Sequence, residues 1–279
     1  MKKLLLAIIA LITFASPALA AEKESAFDRV VNTKTIRCGY APVGLAIVKD
    51  PNTGAISGTA YDVMEEVGKA LGFKIEWAEE VTFGTAIAGL QAGRYDVFCS
   101  NLYARPNWMP NAELSAPYYH VPVNAYARAD EKRFTSRESI NKPEIKVAYQ
   151  DGTVPAFIKK NDFPQAGELP LVDMEYSDLL MAVATGKADI TFVEPSVAEE
   201  FMANNPGKLA AVKSVSPLYV FPIILAMNKG EHDLNSMLSG TINYLIQSGS
   251  IDKIIKKHEK YPNIFWPVAP AYIDPSRKN

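Results

Sequence analysis

Gln91-Ala92-Gly93-Arg94-Tyr95-Asp96-Val97 is matched later in the chain by Ala184-Thr185-Gly186-Lys187-Ala188-Asp189-Ile190. In each copy a helical pattern runs into a glycine, a short linker follows, and an aspartate precedes an apolar strand. Glycine directly after the last periodic residue marks the end of a helix, and a short apolar run is typical of a buried strand. The repeat therefore predicts two similar α/β units in one chain.

Strand and helix patterns also alternate on both sides of each copy. Val63, Val67 and Leu71 recur at helical spacing and Gly72 follows them, so we predict a helix that ends there. The order β-α-β-α-β favours an open, mostly parallel sheet with helices on its faces. The predicted strands are 35–40, 74–77, 95–99, 145–149 and 189–193, and the predicted helices are 60–71, 85–91, one that begins near Pro155, 177–185, 233–247 and 251–258.

Extended, proline-containing stretches lie between the two units, at 118–126 and 219–224. The chain can cross from one unit to the other there, and the last two helices then return to the first unit. We predict lobe 1 from residues 21–120 and 224–279, lobe 2 from residues 125–218, and hinge crossovers at 121–124 and 219–223.

The N-terminus has the layout of a secretory signal. Lys2 and Lys3 precede an apolar run, and Ala18-Leu19-Ala20 supplies the small residues of a cleavage site. We therefore predict a cleaved signal peptide at 1–20 and a periplasmic mature protein. Removing the two lysines leaves 27 basic against 31 acidic residues. With no basic patch, a nucleic-acid partner is not expected.

The cysteines and histidines limit the chemistry. Cys38 and Cys99 either form a disulfide in the oxidising envelope or remain two buried thiols. The three histidines have no metal-like spacing, and for His120, beside the first crossover, a structural or hinge role is favoured over catalysis. No phosphate-binding glycine loop or nucleophile elbow is present. We predict no catalytic residue, no metal and no cofactor.

Several segments together resemble family 3 extracellular solute-binding proteins, the polar amino-acid receptors of ABC importers. The resemblance rests on the order and spacing of 58–63, 90–96, 114–119, 150–153 and 186–195. It implies a type II periplasmic-binding-protein fold, in which two α/β lobes joined by two crossover strands close over a ligand. It also implies a small-molecule ligand and a membrane permease as partners, and we expect a monomer.

The usual carboxylate-binding arginine of that family is missing from its position, six residues before Leu114, where this chain has Trp108. Arg105 replaces a threonine three residues earlier and would share a face with Trp108 on a helical turn. Either Arg105 takes over anion binding while Trp108 lines the pocket, or Arg105 points to solvent and the ligand has no amino-acid carboxylate.

The resemblance assigns further ligand contacts. Phe83 falls at the position of a stacking aromatic, Ser100 and Tyr103 at polar contacts, and Tyr40 at the mouth of the cleft. Thr153 precedes a helix whose free N–H groups favour an anion, and it is equally a plain N-cap. Glu194 falls where the family has an aspartate that pairs with the ligand ammonium. The predicted ligand-binding residues are thus Tyr40, Phe83, Ser100, Tyr103, Arg105, Trp108, Thr153 and Glu194.

One carboxylate, one nearby guanidinium and several aromatic rings favour a cationic, zwitterionic or aromatic solute over a standard α-amino acid. The alternatives are a periplasmic accessory protein of a redox enzyme with a degenerate cleft, or a dehydratase-like enzyme on the same fold.

Overall fold

The computed structural model describes residues 24–104, 108–172 and 174–269. The predicted signal peptide at 1–20 and Arg105 lie outside these residues. The helices are α1 (Ala26–Thr33), α2 (Thr59–Leu71), α3 (Ala86–Gln91), α4 (Arg137–Ile140), α5 (Val154–Asp162), α6 (Tyr176–Ala184), α7 (Pro195–Asn204), α8 (His232–Gln247) and α9 (Ser250–His258). The strands are β1 (Thr35–Tyr40), β2 (Val48–Lys49), β3 (Ile56–Ser57), β4 (Lys74–Glu80), β5 (Val97–Tyr103), β6 (Ala112–Leu114), β7 (Tyr119–Arg128), β8 (Lys146–Gln150), β9 (Gly167–Leu171), β10 (Ile190–Val193), β11 (Leu209–Ala211) and β12 (Tyr219–Asn228).

The main sheet has two halves of the same topology. In lobe 1, β4 and β5 are parallel neighbours of β1, and in lobe 2, β9 and β10 are parallel neighbours of β8. Each half therefore has its second, first and third strand in that order across the sheet. The two long strands β12 and β7 lie between the halves, antiparallel to β5, to β10 and to each other.

The proposed crossovers, 121–124 and 219–223, fall within these two long strands. The exact lobe boundaries remain a prediction. The C-terminal helices α8 and α9 pack against α2, and Asp62 of α2 accepts hydrogen bonds from Lys257 and His258 at 2.6 and 2.7 Å. The end of the chain that the structure describes thus packs on lobe 1.

The repeated aspartate has the same structural role in both lobes. The Arg37 N–H donates to Asp96 Oδ2 at 2.8 Å, and the Asp96 N–H donates to the Arg37 carbonyl at 2.9 Å. In lobe 2 the Lys146 N–H donates to Asp189 Oδ2 at 2.9 Å, and the Asp189 N–H donates to the Lys146 carbonyl at 2.8 Å. Each aspartate therefore ties the start of the third strand to the first strand of its lobe. Guanidinium groups balance both charges, from Arg29 and Arg37 in lobe 1 and from Arg128 and Arg133 in lobe 2.

The glycines of the repeat end their helices as predicted. Gly93 and Gly186 have φ values of 69° and 75°, a left-handed conformation that glycine adopts at little cost. Two other glycines make room for Tyr95, since a Cβ on Gly89 would lie 2.2 Å from Tyr95 Oη and one on Gly39 would lie 2.5 Å from the same ring.

A disulfide joins Cys38 of β1 to Cys99 of β5, with the two Cα atoms 5.6 Å apart. Both cysteines are fully buried in the core between the sheet and α2. The structure thus contains the bond that the sequence left open. None of the helices within the described residues is long and apolar enough to cross a membrane.

Candidate functional site

A cleft with a volume of about 1110 Å³ opens between the lobes. Most of the described lining residues come after one of six strands in the chain, β1, β4 and β5 in lobe 1 and β8, β9 and β10 in lobe 2. The carboxyl ends of parallel strands are where open α/β sheets bind ligands. The described lining residues are Pro42, Val43, Gly44, Ile47, Val48, Thr82, Phe83, Gly84, Trp108, Gln150, Asp151, Gly152, Thr153, Met174, Glu175, Tyr176, Ser177, Val197, Glu200, Phe201, Asn204 and Asn205.

The wall from lobe 1 is apolar and aromatic. Phe83 lies just before α3 and packs edge-on against Phe98, with ring centroids 5.7 Å apart. Trp108 follows β5, is 9% exposed, and packs in the same cluster as Leu90 and Phe98. Because both rings are held from behind by the core, they present preformed apolar surface to the cleft.

The wall from lobe 2 carries the charge. Asp151, Glu175 and Glu200 line the cleft with exposed carboxylates, and none of the described lining residues is Lys, Arg or His. Lys160 pairs with Asp151 at 2.6 Å and Lys260 approaches Glu200 to 4.0 Å from outside the lining. Such exposed ion pairs contribute only about 0–1 kcal/mol, so the lysines hold these two carboxylates weakly.

Thr153 is the N-cap of α5 and lines the cleft together with Gly152. Its hydroxyl donates to the Gln150 carbonyl at 2.5 Å, which fixes the turn and leaves the first N–H groups of α5 without a side-chain cap. The N-terminal end of a helix carries partial positive charge. This end of the cleft therefore suits an anionic group.

Tyr40 and Ser100 lie away from the lining. The Tyr40 ring packs against Trp77, with centroids 5.7 Å apart, and is 6% exposed. The Ser100 hydroxyl donates to the Ala41 carbonyl and accepts from the Ala41 N–H, both at 2.8 Å. Both side chains hold the loop after β1 in place, and their role as ligand contacts stays a prediction.

Tyr103 and Glu194 meet outside the described lining of the cleft. Tyr103 ends β5, and Glu194 follows β10 as the N-cap of α7. The Tyr103 hydroxyl donates to Glu194 Oε1, and the Ser196 hydroxyl donates to Oε2 at 3.4 Å. Burial raises the pKa of Glu194 above its usual value, and burial also raises that of the Tyr103 phenol, with the nearby carboxylate adding to the effect.

His120 contributes its backbone to a structural contact. Its N–H donates to the Trp266 carbonyl at 2.7 Å, and its carbonyl accepts from the Trp266 N–H at 2.8 Å. The His120 pKa is lowered by burial. Within the described ranges no group of three or more His, Cys, Asp and Glu side chains is arranged to hold a metal ion.

Sequence reasoning missed most of the lobe 2 wall. Glu175 and Tyr176 follow β9, a strand that was not predicted because Gly167 and Pro170 interrupt its pattern. The repeat could have predicted β9, since the second strand of lobe 1 requires a counterpart between β8 and β10 in lobe 2.

Two solved structures that share this fold are named as amino-acid-binding proteins. An ancestral amino acid-binding protein, described as a precursor of cyclohexadienyl dehydratase, aligns with a TM-score of 0.72 at 24% identity over 85% of this chain and 100% of that one. The L-arginine complex of a Streptococcus pneumoniae amino acid ABC transporter substrate-binding protein aligns with a TM-score of 0.70 at 21% identity over 84% and 98%. The two-lobed type II periplasmic-binding-protein fold is confirmed.

The family follows from the sequence. A family model described as bacterial extracellular solute-binding proteins, family 3, matches residues 36–260. The chain belongs to this family.

Two curated relatives agree with that assignment. The "Probable histidine-binding protein" of Campylobacter jejuni is 25% identical over 241 residues, covering 85% of this chain and 90% of the relative. The "Probable amino-acid ABC transporter-binding protein" of Haemophilus influenzae is 24% identical over 230 residues, covering 81% and 85%. Both are named as binding proteins.

Proposed function

We propose that this chain is a periplasmic receptor that captures a cationic amino acid in the interlobe cleft and delivers it to the permease of an ABC importer. The observation that carries the proposal is the charge of the cleft, where three carboxylates from lobe 2 face two aromatic rings from lobe 1 and the described lining has no basic side chain.

Carboxylates on one wall and aromatic rings on the other suit a ligand with a cationic side chain. A cation between Trp108 and the carboxylates gains ring-face attraction on one side and Coulombic attraction on the other. A ligand carboxylate is favoured at Gly152 and Thr153, where the N-terminal end of α5 meets the cleft. These two regions together accommodate a zwitterion with one extra positive charge.

The relatives' names favour an amino acid over the non-amino-acid solute that the sequence alone suggested. A histidine-binding protein and an arginine complex both involve amino acids with basic side chains. Trp108 at the family's arginine position argues against the usual carboxylate clamp at that position. We therefore place the ligand carboxylate at α5.

Export and a purely binding role are part of the same proposal. The family is described as extracellular, which supports removal of residues 1–20. N-terminal sequencing of the envelope form is expected to begin at Ala21. A binding protein leaves its ligand unchanged, and loss of the ligand on incubation would instead support a dehydratase-like enzyme.

The experiment is calorimetric titration of the mature protein with L-arginine, L-lysine, L-histidine and, as the anionic comparison, L-glutamate. We expect binding of at least one basic amino acid and none of L-glutamate. The combined change Asp151→Asn, Glu175→Gln and Glu200→Gln should weaken that binding about 10- to 100-fold, since each lost charge interaction near the surface is worth up to about 1 kcal/mol.

Glu144→Gln is the matched control, because Glu144 is an exposed carboxylate of lobe 2 outside the cleft lining. It should leave the affinity unchanged. Preferential binding of L-glutamate, or equal losses in the triple variant and the control, would contradict the proposed charge selection.

A further inference from the structure

A second pocket lies outside the interlobe cleft, beside the predicted first crossover. Its volume is about 220 Å³, and its described lining shares no residue with that of the cleft. Three segments form its walls: the middle of β7, the connection between β11 and β12, and the C-terminal segment that follows α9. A ligand of this pocket therefore leaves the interlobe cleft free.

Hydrogen bonds to β7 hold the other two walls of the pocket in place. The Leu218 N–H donates to the Val123 carbonyl at 2.8 Å, and Ser216 Oγ accepts from the Ala125 N–H at 3.0 Å. Trp266 is held by its two backbone hydrogen bonds to the start of the same strand. Since the backbone fixes its walls, the pocket is preformed, as ligand sites usually are.

The polar groups of the pocket are one cation and two groups that can bond to a ligand. Lys213 is the only charged residue of the described lining, and it has no ion-pair partner among the residues that the structure describes. Ser216 uses its oxygen as an acceptor, which leaves its proton for a ligand. Asn124 Oδ1 is buried without a hydrogen-bond partner in the described part of the chain. Such an acceptor is costly until a donor reaches it.

Three rings give the same pocket an apolar part. Pro122 and Pro217 line it, and the Trp266 indole is 37% exposed. The indole Nε1 donates to the Asn263 carbonyl at 3.2 Å, which fixes the orientation of the ring. The volume equals that of about seven water molecules at ~30 Å³ each, so the pocket has room for one substituted aromatic ring.

We propose that this pocket is a second ligand site, which binds a small aromatic carboxylate that carries a hydroxyl group. The carboxylate pairs with Lys213 and accepts from Ser216, the ring stacks on Trp266, and the hydroxyl donates to Asn124. The site does not depend on the proposed function, since the amino acid is placed in the cleft. The two can therefore fail separately.

The test is titration of nitrogen-15-labelled mature protein with 4-hydroxybenzoate, followed by the indole N–H resonances of the three tryptophans. Trp266→Phe identifies the Trp266 resonance by its loss, and Trp108 reports on the cleft. We expect a saturable shift of the Trp266 resonance and none of the Trp108 resonance. Benzoate lacks the hydroxyl and 4-hydroxybenzyl alcohol lacks the charge, so each should bind about 5-fold more weakly. No saturable shift at Trp266, or a shift at Trp108 alone, would overturn the proposal.

Lys213→Gln tests the anion contact, and Lys208→Gln is its matched control, because Lys208 is an exposed lysine of lobe 2 outside the described lining. Lys213→Gln should weaken 4-hydroxybenzoate about 5-fold, and Lys208→Gln should leave its affinity unchanged. Neither change should alter the calorimetric titration with L-arginine. An unchanged affinity for 4-hydroxybenzoate in Lys213→Gln, or equal losses in the two variants, would contradict the proposed site.

Discussion

Asp96→Asn should be among the most destabilising single changes in lobe 1. The Asp96 carboxylate is 1% exposed and accepts hydrogen bonds from the Arg37 N–H at 2.8 Å, the Arg37 side chain at 2.8 Å and Arg29 Nε at 3.0 Å. Asparagine keeps the size of the side chain but removes the charge. It also turns one acceptor into a donor that faces a guanidinium group.

The size of the stability loss depends on the two arginine side chains that Asp96→Asn leaves without a carboxylate partner. Breaking a buried ion pair by removing one partner costs about 3–5 kcal/mol. The side chains of Arg29 and Arg37 are 22% and 28% exposed, so water can partly solvate them and the lower end applies, about 3 kcal/mol.

Asp189→Asn provides the internal comparison, because the repeat gives both aspartates the same backbone contacts. The Asp189 side chain is 18% exposed and its partner Arg133 is 47% exposed. Water therefore already weakens the interaction between the Asp189 carboxylate and Arg133. We expect a loss of about 1.5–2 kcal/mol, the lower end of the value of a hydrogen bond to a charged group.

The assay is urea unfolding of the oxidised protein, followed by far-ultraviolet circular dichroism, for both variants and the unchanged protein. The expected order of unfolding free energies is unchanged protein, Asp189→Asn, then Asp96→Asn. A cost below 1 kcal/mol for Asp96→Asn, or a larger cost for Asp189→Asn, would refute the argument from burial.

Three further predictions concern the disulfide, the cleft wall and acid stability. Replacing Cys38 and Cys99 by serine releases a cross-link with a sequence separation of 61 and should cost about 4 kcal/mol in the chain-entropy model; a loss below 1 kcal/mol in urea unfolding would contradict it. Trp108→Ala should weaken a bound basic amino acid about 10-fold in calorimetry through the loss of ring-face attraction, and an unchanged affinity would remove Trp108 from the site. Hydrogen bonds from Arg133 lower the pKa of Glu131 to about 2. Glu131 therefore stabilises the fold fully above its unfolded pKa of 4.5, and this stability is lost as the pH falls toward 2. Since Arg133 is largely solvated, Glu131→Gln should cost about 1 kcal/mol at pH 7 and close to none at pH 2, as measured by urea unfolding, and a constant difference would contradict the assignment.

The repeat made the fold predictable from the sequence. Gly93 and Gly186 follow helices, and Asp96 and Asp189 directly precede strands, in both lobes. A left-handed turn and a buried carboxylate restrict these positions to few residue types. Even so, β5 runs four residues beyond the predicted end, to Tyr103. All residues of β5 are buried. Because residues 100 and 101 are polar, the hydropathy pattern does not show that the strand continues past them.

The candidate site was predicted only in part, because its residues lie in loops. Phe83, Trp108 and Thr153 line the cleft, and the resemblance placed them there by position along the chain. The hydrogen bond between Tyr103 and Glu194 could not be predicted from the sequence, since the two residues lie 91 positions apart. The acidic wall depends on which loop residues face the cleft, and no local pattern encodes that.

The most direct measurement of the central claim is native mass spectrometry of the protein purified from its own cell envelope without added ligand. The account predicts a bound mass equal to that of a basic amino acid, which is released unchanged on denaturation and which raises the melting temperature when added back. An acidic metabolite in the cleft, or a bound compound that the protein consumes, would contradict it.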